Sequence, residues 1–90
     1  MDTSRIKHQL RTQCERYFEA LPQFREGIIQ NIALLSRELL DSENASDLPH
    51  SLIDLLMQGA DLPSTQKEYG SGAVEKKLRF MRERLGEGDH

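Results

Sequence analysis

Cys14, Ser51 and the three histidines, His8, His50 and His90, are the side chains from which nucleophilic or metal chemistry would have to be built in this 90-residue chain. Metal binding needs ligands at short spacing, as in CxxC or HxxxH, and neither pattern occurs. The histidines are far apart and read as surface residues. Nucleophilic catalysis needs a base and an orienting group gathered around the nucleophile, and no motif here supplies that set. Cys14 falls in an apolar stripe, where a free cysteine packs as a small hydrophobe. "YGSGAV" contains glycines but lacks the lysine, the spacing and the preceding strand of a phosphate-binding loop. No catalytic residue, no metal and no cofactor is expected, and the chain reads as something other than an enzyme.

What remains is charge. The C-terminal run "GSGAVEKKLRFMRERLGEGDH" holds Lys76, Lys77, Arg79, Arg82 and Arg84 in a protein of formal net charge −3. Between Glu38 and Asp61 the acids Glu38, Asp41, Glu43, Asp47, Asp54 and Asp61 follow one another with no Lys or Arg between them. Segregated charge of this kind suits surfaces that meet by complementarity, setting orientation more than energy, since an exposed ion pair is worth ~0–1 kcal/mol. Phe80 stands about 200° from Leu78 on a wheel of ~100° per residue, outside the apolar seam and among cations. An outward aromatic ringed by Lys and Arg fits a partner-binding anchor; a ring packed under a loop or the first helix, or stacked on nucleic-acid bases, are the competing roles. A second cluster, Arg5, Lys7, His8 and Arg11, crowds the start of the chain, where the dipole of a helix N-terminus disfavours cations.

These groups need helices to position them. Ile6, Leu10, Cys14, Tyr17, Phe18 and Leu21 recur at steps of three and four and predict a helix over 3–20. Pro22 permits a fresh start. Phe24, Ile28, Ile32, Leu35 and Leu39, widened by Ile29, Ala33 and Leu40, predict a second helix over 22–42, which makes a hairpin with the first. "DSENASDLPHSL" reads as a loop, since its Asp, Ser and Asn bond backbone locally. Leu48, Leu52, Leu55 and Leu56 mark a short third helix, 49–58, started by Pro49 and stopped by Gly59 in the left-handed position. Asp-Leu-Pro occurs at Asp47 and again at Asp61, two uses of one helix-start signal. Thr65 and Glu68 fit a capping box, yet Gly70 and Gly72 follow, so 65–70 is expected to be a turn. Val74, Leu78, Met81 and Leu85 give the fourth helix, 71–85, a narrow docking seam.

"HSLIDLL" resembles the Ser-Leu pair that bears the phosphopantetheine arm in acyl carrier proteins, which are also small, acidic and four-helical. His50 stands where those carriers have Asp, and Gly59 is expected to end the helix early. Ser51 is therefore read as an ordinary first-turn residue.

The expectation is an all-α, four-helix domain over 1–85 with a loose tail at 86–90. With one cysteine, no apolar signal segment at the start and no run near the ~18 apolar residues of a membrane span, a cytoplasmic location is expected and membrane insertion is not. The expected role is a non-catalytic regulator, inhibitor or adaptor, similar in size and character to phage and plasmid accessory proteins. It would act through Lys76, Lys77, Arg79, Phe80, Arg82 and Arg84 on a protein with an acidic surface or on its own second subunit as a homodimer. The alternative is a DNA-binding transcriptional regulator that uses the same basic helix.

Overall fold

The N-terminal apolar repeat forms α1 (Thr3–Glu19), which buries Ile6, Leu10, Cys14 and Tyr17 along one side. The structure, a computed structural model, describes residues 3–42 and 45–86. After α1 come α2 (Pro22–Leu40), a 3-10 turn (Ala45–Asp47), α3 (His50–Ala60), α4 (Leu62–Tyr69) and α5 (Ser71–Gly86). No strand occurs among the described residues, and no helix there is long and apolar enough to cross a membrane. The fold class is all-α. Gly86 closes α5 and so does not belong to a tail; residues 87–90 lie outside the described residues.

The helix count differs from the expected four because residues 62–69 form a helix instead of a turn. Asp61-Leu62-Pro63 does start a helix, with Pro63 in the first turn, where a missing N–H costs nothing. Thr65 is no capping residue: its N–H donates to the Asp61 carbonyl at 2.9 Å as an interior helical bond, and its Oγ1 donates to the same oxygen at 3.1 Å. The break comes at Gly70, whose φ of 87° and ψ of −177° fall in a region open essentially to glycine alone. One glycine thus separates two helices.

Gly59 also has a different role from the one expected. It lies inside α3 in right-handed helical conformation, and the helix runs on to Ala60. The residue is glycine because α2 passes directly over it. A Cβ at Gly59 would run into Ser36 Oγ and sit 3.4 Å from Ile32 Cγ2. Ala33 and Ser36, both buried on α2, keep the rest of that contact small.

α1 packs against α5 and α2, α2 also against α3 and α4, and α4 against α5. The shortest dimension is 17 Å, that of two helix layers at ~8–10 Å between axes. The α1–α5 pair is antiparallel. Lys7, near the start of α1, shares a cleft with Phe80 and Arg84, while Tyr17, near its end, lies under Arg25, which pairs with Glu75 near the start of α5. Four consecutive seam residues of α5, Val74, Leu78, Met81 and Leu85, are fully buried against this arrangement. Arg25 ties three helices together: from α2 its guanidinium reaches within 5.3 Å of the Tyr17 ring centre and 3.6 Å of Glu75 Oε1.

Candidate functional site

The outward sides of α5 point in four directions. Toward α1, the guanidinium carbons of Arg79 and Arg82 lie 5.7 and 4.8 Å from the centre of the half-buried Phe18 ring, a cation–π arrangement that is strongest for the less exposed Arg82. Toward α4, Lys77 is half-buried and its Nζ donates to Thr65 Oγ1 at 3.0 Å. Away from the core, Lys76 is exposed. Toward α3, Phe80 is 43% exposed, with the Arg84 guanidinium 5.2 Å from its ring centre. The six expected contact residues therefore do not make one patch. Lys77 and Arg82 are engaged inward, whereas Lys76, Arg79, Phe80 and Arg84 present surface.

Antiparallel packing adds what the C-terminal run alone does not contain. Nine of the twelve Lys and Arg residues sit on α1 and α5: Arg5, Lys7, Arg11 and Arg16 on one, Lys76, Lys77, Arg79, Arg82 and Arg84 on the other. Four acids accompany them, Glu15, Glu19, Glu75 and Glu83. The described residues outside these helices hold only Arg25, Arg37 and Lys67 against Glu26, Glu38, Asp41, Asp47, Asp54, Asp61 and Glu68. One pair of helices is cationic and the rest of the molecule anionic.

The cations at the start of α1 also find a local reason here. Lys7 and Arg11 lie beside the C-terminal end of α5, whose last carbonyls carry partial negative charge. A Cβ at Gly86 would be 3.5 Å from the Arg11 Cζ, so that guanidinium rests on the last turn of α5 while its Nε donates to Glu15 Oε1 at 3.2 Å. The unfavourable dipole of one helix is offset by the favourable dipole of its neighbour.

Between the start of α1, α3 and α5 runs a cleft of about 280 Å³, lined by Lys7, Ser51, Leu52, Asp54, Leu55, Gln58, Phe80 and Arg84. Leu52 and Leu55 belong to the core and form an apolar floor; Phe80 is one wall. Lys7 and Arg84 stand on the cationic side and Asp54 on the α3 side, so the acidic and basic halves of the molecule meet at this opening. Sequence reading singled out Phe80 and Arg84 as contact residues and placed Lys7, Asp54, Leu52 and Leu55 in separate clusters; only the packing brings them together.

Cys14 has no accessible surface, and burial pushes its thiol up from 9.0 to about 12, partly opposed by Arg82. A thiol held neutral and covered is not a nucleophile. Tyr17 is likewise raised, by burial and by Glu75, against the opposing charge of Arg25. His8 and His50 are exposed; His90 lies outside the described residues. Among the described residues no three His, Cys, Asp or Glu side chains are placed to hold a metal ion. Comparison with protein-family models, curated proteins and solved structures found no match.

Proposed function

We propose that this chain is a small non-catalytic binding protein, a regulator, inhibitor or adaptor, that docks the cationic α1–α5 layer on an acidic surface of another protein or of a second copy of itself. The observation that carries this reading is the gathering of nine cations, against four acids, on two helices that pack side by side. Exposed Lys76 and Arg79 would steer the encounter, because complementary fields act on approach rates and register more than on depth of binding. Phe80, at the edge of that layer and held by Arg84, supplies the aromatic contact that charge alone lacks.

The same layer supports a second reading, a DNA-binding regulator, since a local cationic face attracts phosphates whatever the net charge. Two features count against it: Lys77 and Arg82 are turned inward, and Asp54 stands across the cleft from Phe80. Sedimentation equilibrium at low and high salt, with and without a random-sequence duplex, separates the two. Self-association that weakens with salt and leaves the duplex free supports docking between copies. Tight duplex binding that falls steeply with salt supports the DNA reading in its place. A monomer that ignores the duplex leaves a different protein as the partner.

A further inference from the structure

α2 carries a second surface, independent of the basic layer. We propose that the outward face of α2 pairs with the same face of a second copy of this chain, antiparallel about a two-fold axis level with Ile29. Of the six large hydrophobic residues exposed among the described residues, three belong here: Leu21, Phe24 and Leu34, at 59%, 59% and 57%. Phe24, Gly27, Asn31 and Leu34 are all exposed and step by three, four and three, the spacing of a helix–helix seam. That seam stands about 180° from Ile29 and Ser36, which α2 buries on its core side.

Charge is nearly absent from this face. Between Leu21 and Leu34 the only exposed charged residue is Glu26, and at ~100° per residue it stands about 110° from the centre of the seam. The chain as a whole is 30% charged, so the strip is set apart in the way that the core of an interface is.

The order of residues identifies the occupant. Phe24 lies five positions before Ile29 and Leu34 five after it; Gly27 lies two before and Asn31 two after. An antiparallel copy reverses that order, so Phe24 meets Leu34 of the second copy and Asn31 enters the space over Gly27. That space is open in the single chain, where nothing lies within 4 Å of a Cβ added at Gly27. Beside the seam, Leu21 falls against the half-buried Leu35 of the second copy, Gln23 against its Arg37 and Gln30 against its Gln30, with no like charges facing. Parallel pairing meets none of these conditions, since it sets Glu38 on Glu38 and Gly27 on Gly27, a repulsion and a void. A contact between identical copies requires self-complementarity of this kind; an unrelated partner gives no reason for it.

The 19 residues of α2 make a helix ~28 Å long and about 10 Å wide. A contact of that area is at the low end for specific interfaces, and association in the micromolar range follows. The consequence is valency. No residue of α5 enters the seam, so the pair carries two basic layers, and an acidic partner with two sites is held by both at once.

The test is sedimentation equilibrium of the full chain from about 1 to about 300 μM, at low and high salt, for the parent, Leu34→Glu and Lys76→Glu/Arg79→Glu. The parent and the double reversal should dimerise alike, with little response to salt because the seam is uncharged. Leu34→Glu should keep its helical circular dichroism and weaken the dimer about tenfold or more, the scale of one buried apolar side chain. Asn31→Arg, which places a cation in the same seam, should do the same. A short bismaleimide should link Gln30→Cys, made with Cys14→Ala, across the axis and leave Leu34→Cys unlinked. A parent that stays monomeric throughout overturns the proposal, as does preferential linking of Leu34→Cys, the mark of parallel pairing. So does a dimer that salt or the double reversal dissolves and Leu34→Glu does not, because the basic layer would then be the contact between copies.

Discussion

Arg84 holds its guanidinium 5.2 Å from the centre of the Phe80 ring, one helical turn away, and the pair stands at the opening where the acidic α3 faces the basic α5. The ring is 43% exposed, whereas Leu78 on the opposite side of α5 is fully buried. That contrast separates a residue kept for contact from one kept for packing. Phe80→Ala should therefore change stability by less than about 1 kcal/mol, and Leu78→Ala should cost ~2–5 kcal/mol. Urea unfolding of the two variants checks this. A Phe80→Ala loss as large as that of Leu78→Ala would place the ring in the core and remove its role as an anchor.

Gly59 and Gly27 should respond in opposite directions to the same substitution. Gly59→Ala drives a methyl into Ser36 Oγ at the α2–α3 contact and should destabilise by ~1–3 kcal/mol. Gly27 is exposed within α2, with nothing within 4 Å of an added Cβ, so Gly27→Ala should stabilise by about 0.5–1 kcal/mol. Thermal melts of both variants decide it; a stabilising Gly59→Ala would mean that the two helices are farther apart than described.

The buried thiol gives a pH signature with a definite sign. In the unfolded chain Cys14 loses its proton near its ordinary value of 9.0, and in the fold only near about 12. Between those values the unfolded chain binds fewer protons, so stability falls as pH rises; below them the effect is constant. The slope from this one group is at most about 1.4 kcal/mol per pH unit. Tyr17, raised in the same direction, adds to the decline at higher pH. Melting temperature from about pH 8 to about pH 11 should drop less in Cys14→Ala than in the parent. Identical slopes would mean that the thiol is not covered. In native buffer a thiol reagent should modify Cys14 orders of magnitude more slowly than in urea, at a rate set by opening of the fold.

The sequence made the long helices legible and the short-range junctions not. α1, α2 and α5 each repeat apolar residues over about three turns or more, and the buried residues of α1 and α5 fall on those stripes. α4 has eight residues and buries only Leu62 and Thr65, too few to show a period; its start signal at Asp61-Leu62-Pro63 was present but outweighed by the glycines that follow. Gly59 looked like a helix stop because its reason, Ser36, lies 23 positions away in the chain and adjacent only in space. In the candidate site, the outward direction of Phe80 followed from periodicity within one helix. Lys77 turning to Thr65, Arg82 lying over Phe18 and the cations of α1 joining those of α5 all depend on which helices pack together. Charge segregation was visible along the chain; the layer it forms was not.

The most direct test is co-purification after nuclease treatment, comparing the parent chain with the double charge reversal Lys76→Glu/Arg79→Glu and with Arg37→Glu, an exposed reversal on α2. The basic layer as docking face predicts a protein that is retained by the parent and by Arg37→Glu, released by added salt, and lost with the double reversal. Retention undiminished by the double reversal, or a bound fraction that disappears with nuclease, would contradict it.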